Sequence, residues 1–154
     1  NLVLVGASGL AVPGHPIGDL FMMVQPRDGG ILDDLRTMLF ADADVPVALE
    51  LFPDGYTDAD TDLLRYKMFR FSSRVGFSPP YFYHPRLRER LPRYTNPALV
   101  IHGTNDTLVP PAHGEAYAEG LGNARLEMVA GAGHSPHLEK PDQTAALITD
   151  FLDG

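Results

Sequence analysis

Apolar residues are arranged along this chain as short unbroken runs and as helically spaced stripes, and their order predicts the elements. Leu2-Val3-Leu4-Val5 is an unbroken run closed by Gly6, the pattern of a strand buried on both faces. Gly9 to Pro26 is rich in Gly and Pro and predicts a loop. Gly30 to Phe40 carries Ile31, Leu32, Leu35, Met38 and Leu39 at helical spacing. A second helical pattern follows Thr57, whose hydroxyl is placed to cap it ahead of Asp58 and Asp60, and runs through Leu63, Leu64, Tyr66, Lys67, Met68 and Phe71. Pro79-Pro80 breaks the chain, and Pro85 to Leu91 predicts a short helix. From Pro97 the rhythm becomes strand, helix, strand, helix. The strands are Ala98 to Ile101 and Arg125 to Val129, the helices Pro111 to Leu121 and a last one opening at Pro141, with Leu147, Ile148, Phe151 and Leu152 in one stripe. Three segments follow from this: a core strand over 1–9, a helical segment over 10–93, and an α/β segment over 94–154.

Composition narrows the classes of function. The 154 residues suffice for one domain with a real core and are 44% hydrophobic and 21% charged. A formal net charge of −8 disfavours nucleic acid as a partner, because phosphate neutralisation needs clustered cations. The basic residues between Arg86 and Arg93 alternate with Leu87, Glu89 and Leu91 and suit a solvated helix face. With no cysteine there is no disulfide and no thiolate metal site. No apolar run has the length of a membrane span, and no basic region with a cleavage site opens the chain, so a cytoplasmic location is expected. The chain begins at Asn1, directly on a core strand and without Met, which suggests a piece of something longer.

The chemistry concentrates in two short segments, His102-Gly103-Thr104-Asn105-Asp106-Thr107-Leu108-Val109-Pro110 and Gly131-Ala132-Gly133-His134-Ser135-Pro136. Each follows a predicted strand. In an open parallel sheet such positions emerge at one edge, where ligands bind. Asp106 and His134 could there form the acid–base half of a nucleophilic triad, with the carboxylate orienting the imidazole. Asn105 is adjacent, but an amide cannot supply the negative charge that stabilises an imidazolium. Taken singly, Asp106 also fits a cap on the helix after Pro110, and His134 a polar surface residue. Their pairing favours the catalytic reading.

Other candidates fare worse. Ser8, in Gly6-Ala7-Ser8-Gly9-Leu10, follows a strand, but a nucleophile elbow needs a small residue where Leu10 stands. It also needs a helix at once, which Ala11-Val12-Pro13-Gly14-His15-Pro16 cannot propagate. His134 and His137 form an H-x-x-H pair with His102 and His113 nearby, but Pro136 lies between the pair and no acidic residue has a ligand's spacing. Asp54, Asp58, Asp60 and Asp62 lack the Gly and terminal Glu of a calcium loop. No metal and no other cofactor is implied.

With the strand Leu2 to Val5, the helical insertion, the turn Gly103 to Pro110 and the loop Gly131 to His134 followed by Pro136, Glu139 and Pro141, the chain resembles the C-terminal half of an α/β-hydrolase-fold protein with a helical cap. The resemblance implies an α/β fold class, the C-terminal part of a hydrolase sheet interrupted by a mostly helical cap insertion. It places Asp106 at the triad-acid position and His134 at the general-base position. It also implies that the nucleophile elbow and the oxyanion donors belong to a region preceding Asn1. The cap segment holds Phe21, Met22, Met23, Met38, Phe40, Phe52, Met68, Phe69, Phe71, Phe77, Tyr81, Phe82 and Tyr83, mostly expected as helix-packing residues. An apolar lid over a catalytic edge points to a hydrophobic acyl or aromatic substrate, and the resemblance implies cleavage of a small, mostly apolar ester or a related bond. An upstream Asp nucleophile would instead indicate a dehalogenase or epoxide hydrolase, and a non-catalytic binding or interaction module of the same fold is the competing class. The isolated chain is expected to be inactive, and to pair with a missing N-terminal half or with a second copy of itself.

Overall fold

Three parallel strands carry the unbroken apolar runs: β1 (Leu2–Val5), β2 (Ala98–Gly103) and β3 (Ala124–Val129), in the order β1-β2-β3. The computed structural model describes residues 1–19, 31–54, 58–75 and 83–154. Leu2 lies opposite Ala98 and Val5 opposite Ile101, while Ala98 faces Ala124 and Gly103 faces Val129. β2 is the middle strand, and all of its residues are buried.

Strand alternation sends successive side chains to opposite faces. Leu2, Leu4, Ala98, Val100, Ala124 and Leu126 pack on one face with Ala116, Tyr117 and Leu121 of helix α5 (Ala112–Leu121). Val3, Val5, Leu99, Ile101 and Val129 pack on the other with Leu147, Ile148 and Phe151 of helix α7 (Pro141–Asp153). A sheet with a helix on each face is what unbroken apolar strands require. Burying each Leu, Ile or Val side chain of β2 contributes about 2 kcal/mol.

Between β1 and β2 lie α1 (Ile31–Leu39), α2 (Pro46–Leu51), α3 (Asp58–Val75) and α4 (Leu87–Arg90), the last continued by a 3₁₀ turn over Leu91–Arg93. A one-turn helix α6 (Pro136–Glu139) precedes α7. Arg36 of α1 is buried, and its guanidinium reaches Asp33, Asp54 and the Phe52 carbonyl, which ties α1 to the chain leaving α2. Neither α2 nor α6 is legible as an apolar stripe, since each has fewer than two turns. Phe40 is buried as expected of a packing residue, but Leu63, Tyr66 and Phe71 of α3 are about half exposed. Helical spacing predicts the helix. It does not predict that a neighbour covers the stripe. Thr57, Pro79, Pro80, Phe21, Met22, Met23, Phe77, Tyr81 and Phe82 lie outside the described residues, as do the side chains of Met68 and Phe69. No helix among the described residues is long and apolar enough to cross a membrane.

Because the strands are parallel, the loops after β1, β2 and β3 leave from the same edge, and two glycines let them close on one another. A Cβ on Gly103 would collide with the carbonyl oxygens of Gly133 and Ala132. Gly6 has a φ of +55°, and a Cβ there would lie 2.7 Å from the His134 carbonyl oxygen. Hydrogen bonds stitch the same loops: Thr104 N donates to Val129 O (3.1 Å), Asn105 N to Ala132 O (2.9 Å) and Gly131 N to Thr104 Oγ1 (3.0 Å).

Candidate active site

Asp106 stands in the loop after β2 with its side chain fully buried. Its Oδ1 accepts from the amides of Leu108 (3.0 Å) and Val109 (2.8 Å), a turn that aspartate forms readily by bonding to its own backbone two and three residues on. Those amides precede α5, whose first turn receives no side-chain cap. The helix-cap reading of Asp106 is therefore overturned by the partners it has.

Asp106 Oδ2 is 2.9 Å from His134 Nδ1 and 3.2 Å from His102 Nε2. The carboxylate thus accepts from four donors. Burial by itself pushes its pKa up. The hydrogen bonds from His102 and His134, the charge of His134 and the Val109 amide outweigh that and hold it at about 2. Asp106 is ionised at neutral pH.

His134 sits in the loop after β3 with its side chain 23% exposed. An ionised Asp106 requires the proton on Nδ1, which leaves Nε2 with a free lone pair. Gly6 lies beneath the ring, where a Cβ would be 3.4 Å from Cε1 and Nδ1. The arrangement is an imidazole oriented by a carboxylate at one nitrogen and able to take a proton at the other.

The roles of two participants escaped sequence reasoning. His102, the penultimate residue of β2, was considered only as a metal ligand. Its Nε2 lies against Val109 O (2.8 Å) as well as Asp106. A polar residue ending an otherwise apolar buried strand was the available signal. Glu139 of α6 accepts from the amides of Gly133 (2.8 Å) and Ala41 (2.8 Å). It thereby joins the histidine loop to the chain leaving α1, at a place where a Cβ on Gly133 would strike the backbone of Phe40 and Ala41. Hydrogen bonds to a charged partner are worth about 1.5–3 kcal/mol each. The Ala41 bond is exposed to solvent and adds little, so Glu139→Ala is expected to lower the unfolding free energy by about 2 kcal/mol in a urea titration. The exposed neighbour change His137→Ala should move it by less than about 0.5 kcal/mol. Equal midpoints for the two variants would remove Glu139 from this role.

The remaining candidates do not join the pair. Ser8 is exposed, its carbonyl accepts from Tyr117 Oη (2.6 Å), and among the described residues its side chain makes no hydrogen bond to His134. His113 donates through Nε2 to His15 O (2.8 Å), and burial pushes its pKa down. His137 is exposed on α6. No group of three or more His, Asp or Glu among the described residues is disposed to hold a metal ion.

Comparison with known proteins places this geometry in context. The chain is 37% identical over 65 residues to the human serine hydrolase BPHL, an alignment covering 42% of this chain and 22% of that protein. It is 39% identical over 67 residues to a pimeloyl-acyl-carrier-protein methyl ester esterase of Aromatoleum aromaticum, covering 44% of this chain and 27% of the esterase. Among solved structures, the 2-hydroxy-6-oxo-6-phenylhexa-2,4-dienoate hydrolase of Rhodococcus sp. strain RHA1 superposes with a TM-score of 0.69 at 20% identity, over 99% of this chain and 54% of that one. An esterase from Exiguobacterium antarcticum superposes with a TM-score of 0.65 at 19% identity, over 99% and 57%. The chain spans about half the length of these two structures, with the fold in common. The profile of the Alpha/beta hydrolase family matches residues 1–147, nearly the whole chain, and the chain belongs to that family.

Proposed function

We propose that Asp106 and His134 are the acid and base of a hydrolase that cleaves an ester or related bond in a small, mostly apolar substrate. The observation that carries this reading is the 2.9 Å contact between His134 Nδ1 and a buried, ionised Asp106, with His134 partly exposed at the carboxyl edge of a parallel sheet. The names of the relatives, a serine hydrolase and a methyl ester esterase among them, support the same reaction class.

In this mechanism a serine hydroxyl from outside these 154 residues attacks the ester carbonyl while His134 Nε2 takes its proton. The imidazolium, stabilised by Asp106, returns that proton to the departing alkoxide. Water then repeats the sequence on the acyl group. Ser8 has no part in it, and the 154 residues by themselves turn over no ester. In this reading α1, whose following chain meets the histidine loop through the Ala41 amide on Glu139, belongs to a lid over the edge whose apolar side chains select an apolar acyl or aromatic group.

Two reagents test the proposal on the full-length protein: a p-nitrophenyl ester of a short acid, and a fluorophosphonate that traps activated serines. Ester turnover with labelling of one serine outside this chain is the expected result. Turnover without serine labelling, with an aspartate as the acylated or alkylated group, would reassign the nucleophile. Neither turnover nor labelling would leave the chain a non-catalytic member of its family.

A further inference from the structure

We infer that His102 is a positioning residue for the Asp106–His134 pair: its neutral ring fixes where the carboxylate lies and limits how strongly it draws on the proton of His134. The protonation state of His102 follows from its neighbours. Nε2 faces only acceptors, Val109 O at 2.8 Å and Asp106 Oδ2 at 3.2 Å, so it carries a hydrogen shared between them. Nδ1 is buried and, among the described residues, has no hydrogen-bond partner. A proton there would be an unpaired donor of a buried cation, which costs far more than an unused lone pair. The ring is neutral, in a single tautomer.

It is also held in place. The side chain is fully buried, and the backbone of α5 backs it closely: a Cβ on Gly114 would lie 2.9 Å from His102 Cβ and 3.1 Å from Nδ1. Val109 closes the arrangement, donating its amide to Asp106 Oδ1 while its carbonyl accepts from His102. Packing alone does not account for a histidine here. Leu99, Val100 and Ile101 precede it on the same buried strand, and a leucine would fill the space without stranding a polar nitrogen. What a leucine lacks is a donor for Oδ2.

That donor has a directional consequence. Oδ2 accepts from His102 and from His134 at once, so each bond weakens the acceptor available to the other. Withdrawing the His102 hydrogen leaves a more basic carboxylate. His134, the donor that remains, then holds its second proton more tightly. Among the described residues, other ionisable groups nearby do not compete for Oδ2. His113 at the start of α5 is bonded to the carbonyl of His15, which lies in the loop after β1, and Glu139 of α6 is committed to the Gly133 and Ala41 amides.

As a statement about catalysis this rests on the function proposed above, but the titration of His134 can be read without it. In full-length protein with carbon-13-labelled histidine, the imidazole of His134 would be titrated by NMR in wild type, His102→Leu, His102→Asn and His102→Gln. The acid limb of kcat/KM would be measured on the same set. With Leu, the His134 pKa is expected to rise by about half a unit to one unit, with the acid limb following. Asn, too short to reach Oδ2, should behave like Leu. Gln, whose amide nitrogen can occupy the place of Nε2, should return the titration to the wild-type position. Should the Leu variant fail to fold, the Asn and Gln pair decides the matter alone. An unchanged His134 titration in Leu or Asn, or a Gln variant shifted as far as Asn, would overturn the inference. If the wild type hydrolyses no ester, the proposed function falls and the NMR comparison still judges His102.

Discussion

In the full-length protein, replacing His134 with Ala is expected to lower kcat/KM for a short aryl ester by about four to six orders of magnitude, since the proposed base and the nucleophile it would activate act as one unit. The geometry explains why so large an effect should come with little loss of structure. The ring is 23% exposed, its Nδ1 is satisfied by Asp106, and its carbonyl sits over Gly6, which tolerates the backbone whatever the side chain. Removing the ring leaves the loop held by the Gly133 amide on Glu139 and by the closure of Gly103 on Ala132 and Gly133. Far-UV circular dichroism of His134→Ala should therefore stay near wild type, with the unfolding free energy lowered only by the about 1.5–3 kcal/mol of one lost hydrogen bond to the Asp106 carboxylate, while turnover is lost. His137→Ala, three positions on and exposed, is the matched control and should retain full turnover. Near-normal hydrolysis by His134→Ala would end its assignment as the base.

How much of this was legible in advance can be judged residue by residue. Strands β1 and β2 announced themselves because Leu2 to Val5 and Ala98 to Ile101 are unbroken apolar runs, the pattern of a strand covered on both faces. Only β2 is fully buried, however, and β1, at the edge of the described sheet, is half-buried. The contact of Asp106 with His134 was readable from placement, each falling just past a strand in a chain whose strands had to be parallel. His102 was not readable as a partner of Asp106. Its distance to the carboxylate depends on how the turn from Gly103 to Val109 curls back, and no periodicity reports that. Glu139 reaches Ala41, which is 98 positions away, so its bridge exists only once α1 lies against the histidine loop. The exposure of Leu63, Tyr66 and Phe71 was hidden for the opposite reason. A helical stripe declares which side chains share a face but not what stands opposite.

Asp106→Asn should cost about 10⁴ in kcat while leaving the residue's size unchanged, and its effect on stability should depend on pH. Oδ1 of an asparagine can still accept from the Leu108 and Val109 amides, which puts its NH₂ group where Oδ2 was. That nitrogen would face His102 Nε2–H and His134 Nδ1–H, a donor set against two donors. His134 relieves its share by moving its proton to Nε2, which is the wrong tautomer for a base. His102 has no such escape, because Val109 O also needs its Nε2 hydrogen. The stability effect has a part that varies with pH and a part that does not. Asp106 titrates at about 2 in the folded chain against 3.8 as the ordinary value, so the unfolded chain takes up its proton first as pH falls. The carboxylate thus contributes about 2 kcal/mol that is fully present above pH 4 and is lost as pH falls through 2. Asparagine lacks that contribution at every pH, and its donor clash adds a constant. Urea midpoints of wild type and Asp106→Asn should therefore differ most at pH 5 to 7 and draw together toward pH 2. Every other carboxylate titrates alike in both proteins and cancels from the difference. A gap that stays constant from pH 7 to pH 2 would mean that the buried carboxylate is not held ionised by its four donors, and the base proposed beside it would lose its counter-charge.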